Sequence, residues 1–245
     1  MFLICGSGRS GTSVVALVLH DAGIAMGRDL IEADASNTEG YFEERPVVAL
    51  NDAILNDVGL DHWFATATRG QILDAAVARH DLMRALAAEA TAGWKDPRFC
   101  WTLEAWLEVL AERPRVIVCI RSPVEVVEST LRYYALDSHD ARRAAEHTWR
   151  CEYERLLEII DAYGLDAISI DYAALCADPV VALAPLARFT GRELDASGVR
   201  PDLRHHAARI PEEFEDLYGR ITALGGASDA TRDAGAPSAS GPSRS

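Results

Sequence analysis

Phe2-Leu3-Ile4-Cys5-Gly6-Ser7-Gly8-Arg9-Ser10-Gly11-Thr12-Ser13 passes from four apolar residues through a glycine-rich turn into a second, longer apolar stretch. The short run bounded by glycine reads as a buried strand, Phe2–Cys5, and the stretch after it as a helix, Thr12–Asp21. A glycine-rich turn ahead of a helix turns backbone N–H groups inward, with the helix dipole behind them, and so offers a seat to an anion. Outward from this unit, three more apolar runs read as strands: Gly93–Lys95, the weakest, then 116–120 and 167–170. Helical patterns separate and follow them at 46–58, 71–90, 100–112, 123–134, 141–163, 180–189 and 212–224. Short apolar strands alternating with longer helices predict an α/β fold of three layers, a central parallel sheet flanked by helices. Ligands of such sheets sit beyond the carboxyl ends of the strands, which directs attention to the residues just after Cys5, Trp94, Ile120 and Ile170.

The 245 residues suit one such domain, over 1–224. The remainder, 225–245, lacks aromatic and large aliphatic residues and reads as a disordered tail. Acids outnumber bases 38 to 24, a net charge of −14, which argues against nucleic acid or an anionic membrane as the main partner but allows a small anion in a local basic pocket. No apolar run reaches the eighteen or so residues of an integral membrane segment, and Met1 to Gly6 shows no secretion signal. Five scattered cysteines without CxxC spacing read as reduced thiols, which points to a cytoplasmic protein without a metal site. Lys95 is the single lysine among the 24 basic residues, so its compact ammonium invites a specific role.

Gly6 and Gly11 have the spacing of a P-loop, which gives the predicted fold a P-loop NTPase-like character. The lysine expected after the second glycine is replaced by Thr12, and Arg9 within the loop offers a charge from another direction. A dinucleotide fingerprint also matches Gly6, Gly8 and Gly11, but no acid closes a second strand about 20 residues on. At the third strand Ser122-Pro123-Val124-Glu125 reads as a helix start with a capping box. Arg121 needs another reason: an arginine fork at a strand's carboxyl edge, with the hydroxyl of Ser129 two turns into the helix, suits a second phosphate. The structural alternative for Arg121 is an ordinary surface pair with a glutamate.

Together the loop GSGRSGTS, the element Arg121 to Ser129 in RSPVEVVES, and Asp171-Tyr172-Ala173-Ala174-Leu175-Cys176-Ala177-Asp178-Pro179 resemble the sulfotransferases that use 3′-phosphoadenosine 5′-phosphosulfate (PAPS). Asn37-Thr38-Glu39-Gly40-Tyr41-Phe42-Glu43 and Trp94-Lys95-Asp96-Pro97-Arg98 are similar to the bacterial branch, and the second also to the tyrosylprotein branch. The resemblance spans about residues 2–210 in the family's order. It implies that Gly8, Arg9, Ser10, Gly11, Thr12 and Ser13 hold the 5′-phosphosulfate, that Arg121 and Ser129 hold the 3′-phosphate, and that Tyr172 faces the nucleotide. It also implies a PAPS co-substrate, a 3′,5′-ADP product and no metal.

Sulfuryl transfer needs a base for the acceptor and fixed charge for the leaving group. Arg9 and the loop amides suit the leaving phosphate. Lys95 suits the sulfuryl oxygens, as the matching lysine of the tyrosylprotein branch implies, with a plain ion pair to Asp96 or another acid as its alternative. A glutamate after the first helix acts as base in related branches. Glu43 is the preferred candidate; Glu39, with a capping box from Ser36 as its own explanation, and Glu44 share the remainder. Tyr41, Phe42, Tyr133, Tyr134, Trp63 and Trp94 read as core. The arginines and glutamates of 141–163, Glu152 and Arg155 among them, read as a solvated, ion-paired face. His205-His206 with Arg204 and Arg209 form a basic cluster without an assigned role. The acceptor expected is a small molecule, glycan or lipid with a hydroxyl or amine. A P-loop small-molecule kinase is the competing enzyme, disfavoured by the missing lysine.

Overall fold

The computed structural model describes residues 1–34, 37–60, 67–200 and 209–225. Strands β1 (Phe2–Cys5), β2 (Gly93–Lys95), β3 (Arg115–Ile120) and β4 (Ala167–Asp171) form one parallel sheet in the order β2-β1-β3-β4. Phe2 lies opposite Gly93 on one side and Arg115 on the other, so β1 sits between β2 and β3 and the loops leaving these three strands converge at one edge.

Period-two alternation builds the layers. Leu3, Cys5, Val116, Val118 and Ile120 face one core, and Ile4, Ile117, Cys119, Ile168 and Ile170 face the other. The first core is covered by α2 (Arg45–Asp57), α3 (Arg69–Val77), α4 (His80–Ala88), α5 (Phe99–Leu107), α7 (His139–Tyr163) and α10 (Glu212–Thr222). The second is covered by α1 (Thr12–Asp21), α8 (Tyr172–Ala177) and α9 (Pro179–Thr190). Between β3 and α7 runs α6 (Pro123–Tyr133), whose Val127 and Leu131 pack on Ala141 and Ala145 of α7. The three-layer parallel α/β architecture expected from the sequence is therefore present.

Three local expectations change. The single helix expected over 71–90 is two, α3 and α4, with a turn at Ala78-Arg79 held by the Arg79 amide on the Ala76 carbonyl at 2.8 Å and by Arg79 Nη1 on Asp57 at 2.8 Å. No glycine or proline marks that break. The segment after β4 contains a short extra helix, α8, capped by the Asp171 carboxylate on the Ala173 amide, and Asp178 then caps α9. Ser122 stands at the N-cap of α6 without making a side-chain cap bond, so the expected capping box is absent; Glu125 turns to Arg121 instead. Trp63, the basic cluster at 204–206, Ser36 and the tail beyond Gly225 lie outside the described residues.

Candidate active site

The loop leaving β1 is held open by local constraints. Gly6 adopts φ +143°, and a Cβ there would stand 2.3 Å from the Cys119 carbonyl oxygen, so the loop passes directly over β3. Gly11 adopts φ +92°, and a Cβ there would meet the Tyr172 ring at 2.5 Å. Only glycine combines such φ values with such close approach. Buried Tyr153 on α7 clamps the loop from below: its hydroxyl donates to the Cys119 carbonyl at 2.6 Å and accepts from the Ser7 amide at 3.3 Å.

This loop forms the floor of a cavity of about 650 Å³ at the carboxyl edge of the sheet. The cavity gathers Arg9, Lys95, Arg98, Arg121 and Arg132 in a chain whose net charge is −14, so positive charge is concentrated locally against the overall balance. Of the residues singled out in the sequence, Gly8, Arg9, Gly11, Thr12, Ser13, Glu43, Lys95, Arg121, Ser129 and Tyr172 line it. Ser10 does not: its side chain is fully buried beneath the loop, and its amide closes a turn on the Ser7 carbonyl at 3.2 Å.

The two anion elements meet. Arg9, itself at φ +68°, donates from Nε to Ser129 Oγ at 3.1 Å, and Arg121 Nη1 donates to the Arg9 carbonyl at 3.3 Å. Arg121 also pairs through Nε with buried Glu125 at 2.8 Å and lies over the Tyr172 ring at 4.6 Å. The Arg–Glu pair anticipated as an alternative exists, but it is sunk in the site rather than on the surface. Tyr133 and Tyr134, read as core, are instead 44% and 40% exposed at the cavity mouth, where the Arg9 guanidinium lies 5.1 Å from the Tyr133 ring centre. A flat guanidinium over an aromatic face is a favourable cation–π geometry.

A second cluster stands across the loop. Lys95, 2% exposed, donates from Nζ to Glu43 Oε1 at 2.5 Å and to Ser13 Oγ at 3.2 Å. Asn37 Nδ2 reaches the same Ser13 hydroxyl at 3.2 Å. Arg98 lies 3.7 Å from Glu43 Oε2 and bonds Asp52 and Asp96, the latter fixed in turn by Asn51 Nδ2 at 2.7 Å. The other candidate bases stand elsewhere. Glu44 accepts the Arg28 and Asp29 amides and braces the segment before it, and Glu39 is exposed in a turn.

Sequence reasoning gave no role to Arg98, Asn37, Tyr153 or Glu152. The first two fall inside quoted motifs, where their position beside Lys95 and Ser13 was the available signal. Glu152 is the larger correction: it is 7% exposed and lines the cavity, not a solvated face. Arg155 likewise turns inward, donating from Nε to the Trp101 carbonyl at 3.1 Å.

A glycine nest opening onto a cationic cavity, with a buried lysine–glutamate pair beside it, gives this α/β protein the backbone donors and local positive charge that suit an anionic ligand. The model of the sulfotransferase family matches residues 2–196, and the chain belongs to that family. It is thus an enzyme, a sulfotransferase, of a family that generally takes its sulfuryl group from PAPS. Among solved structures it is similar to the sulfotransferase domain from the Synechococcus PCC 7002 olefin synthase, with 20% identity, a TM-score of 0.50 and coverage of 98% of this chain and 89% of that one. It is also similar to the sulfotransferase domain from the curacin biosynthetic pathway, with 16% identity, a TM-score of 0.50 and coverage of 91% and 97%. At these identities the likeness concerns the fold. No curated protein matches the chain.

Among the described residues no group of three or more His, Cys, Asp or Glu side chains is placed to hold a metal ion, and no helix is long and apolar enough to cross a membrane.

Proposed function

We propose that this chain transfers the sulfuryl group of PAPS to a hydroxyl or amine of a small-molecule, glycan or lipid acceptor, using the cavity beyond β1, β2 and β3. The observation that carries the reading is the junction of Arg121 with the Arg9 carbonyl at 3.3 Å, which brings cationic elements from two distant segments onto one cavity. A donor with phosphates at both ends of its ribose calls on more than one such element.

In this proposal the amides of Gly8 to Thr12 and the Arg9 guanidinium hold the 5′-phosphosulfate, with Ser13 at the helix start. A Cβ at Gly8 would meet nothing within 4 Å, which leaves its backbone open for close approach. Arg121 and Ser129 hold the 3′-phosphate, and Tyr172 walls the nucleotide. Glu43 takes the proton from the acceptor as the acceptor's oxygen or nitrogen bonds to sulfur. The bond from sulfur to the bridging oxygen breaks, and the charge left on the 5′-phosphate is met by Arg9 and the loop amides. Lys95 stands between Glu43 and Ser13, so a small movement transfers its ammonium from the base to the sulfuryl oxygens and frees the carboxylate in the same step.

Thermal denaturation with 3′,5′-ADP and with Mg–ATP tests the reading. A rise in Tm with 3′,5′-ADP and none with ATP is expected; stabilisation by ATP alone would overturn this assignment of the cavity.

A further inference from the structure

Ala145, Thr148 and Glu152 recur at three- and four-residue intervals on α7, and all three line the cavity. This spacing puts them on one stripe of the helix. The cavity they line also has apolar side chains, Leu55, Leu60, Trp101 and Val126, each buried. Glu152 is a buried acid among these lining residues. Its Oε2 has no hydrogen-bond partner, and no described cation pairs with it. Arg98, another cation of the cavity, is already bound by Asp52 and Asp96. Burial of a carboxyl group without a cation is costly, and desolvation pushes this one up to about 7. Nothing in the transfer chemistry above uses it.

We propose that Glu152 is the recognition group for a cationic acceptor: a compact molecule with an apolar body whose ammonium group meets the Glu152 carboxylate while its nucleophile faces Glu43. The apolar side chains fit the body, and the uncompensated acid supplies the countercharge. An ammonium between Glu152 and the anionic phosphosulfate is favoured from both sides, whereas an acceptor carrying a carboxylate is repelled by both. This inference rests on the sulfotransferase reading of the cavity.

Calorimetric titration of the full chain saturated with 3′,5′-ADP separates the two. The probes are tyramine, 4-ethylphenol and 3-(4-hydroxyphenyl)propionate, which share a phenol and differ in the charge of the tail. Tyramine is expected to bind about ten-fold or more tightly than 4-ethylphenol, the gain of one charge-assisted hydrogen bond in a dry site, and the propionate more weakly than either. In Glu152→Gln, which keeps the shape of the side chain and is expected still to bind 3′,5′-ADP, the tyramine preference should vanish. Equal binding of tyramine and 4-ethylphenol, a preference that survives Glu152→Gln, or no binding of either phenol overturns the inference and leaves the nucleotide site standing. Failure of 3′,5′-ADP itself to bind the wild-type chain overturns both.

Discussion

The Lys95 ammonium and the Glu43 carboxylate meet at 2.5 Å in a pocket where their side chains are 2% and 9% exposed. Two charges so deeply placed depend on each other. Removing one strands the other without water, at a cost of about 3–5 kcal/mol for a typical buried pair. Arg98, 3.7 Å from Glu43, takes up part of that loss, which favours the lower figure for Lys95→Met. The variant Lys95→Met is therefore expected to lose about 3 kcal/mol in urea denaturation. Adding Glu43→Gln should restore most of that stability but not turnover, which should stay down by about 10²–10⁴-fold in transfer from labelled PAPS to a small-metabolite extract. A double variant as active as the wild type would remove the pair from the chemistry.

Arg121 serves one end of the proposed nucleotide only. Arg121→Ala should weaken 3′,5′-ADP binding by about 10–100-fold, the effect of losing hydrogen bonds to a charged group. Binding of 5′-AMP, which lacks the 3′-phosphate, should barely change. Because Arg121 also neutralises buried Glu125, the variant is best made together with Glu125→Gln, and the comparison of the two nucleotides cancels any loss of folded protein. Equal weakening of both nucleotides would place Arg121 away from the 3′-phosphate.

Gly11 has no freedom to carry a side chain. At φ +92° an added methyl would stand 2.5 Å from Tyr172 Cδ2, so Gly11→Ala must strain the backbone and displace the aromatic ring together. A loss of about 1–3 kcal/mol is expected from the backbone alone. Because the same ring lies beneath Arg121 at 4.6 Å, 3′,5′-ADP affinity should fall as well. Gly23→Ala is the control: Gly23 also has positive φ, +83°, but a Cβ there would meet nothing within 4 Å, so it should lose stability and keep nucleotide affinity.

How much of this was legible in the sequence depended on range. Glycine spacing and apolar runs are local signals, and they located β1, its loop and α1 to the residue because the chain there has few alternatives. The residues brought to the cavity by β1, β2 and β3 could be listed because a parallel sheet sends its strand ends to one edge. The pairings could not. Arg9 with Ser129, and Lys95 with Glu43, join segments 120 and 52 residues apart, and nothing local encodes such partners. Glu152 was misread for a different reason. In a helix rich in Arg and Glu, composition does not show which acid turns inward; the signal was its spacing, three residues after Trp149 and four before Leu156, both buried on α7. Ser10 fails in the opposite sense: it belongs to the loop by sequence, but the turn buries its hydroxyl.

Glu152 also makes a prediction about pH that needs no acceptor. Burial raises its carboxyl from an ordinary 4.5 to about 7, against the opposing pull of the polar groups of Ser7 and Trp101. Between those two values the folded chain holds a proton that the unfolded chain has released. Stability must therefore fall as pH rises through that window, and the full cost of the buried charge is present above about pH 7. Glu152→Gln removes the charge while keeping a polar group of the same shape. Its Tm should exceed that of the wild type at pH 8, by the equivalent of about 1–3 kcal/mol, and the gap should close toward pH 5, where the glutamate is protonated in the folded chain. A gap of equal size at both pH values would mean that the wild-type carboxyl does not titrate in this range, and that its pocket is wetter or better paired than the geometry around Oε2 indicates.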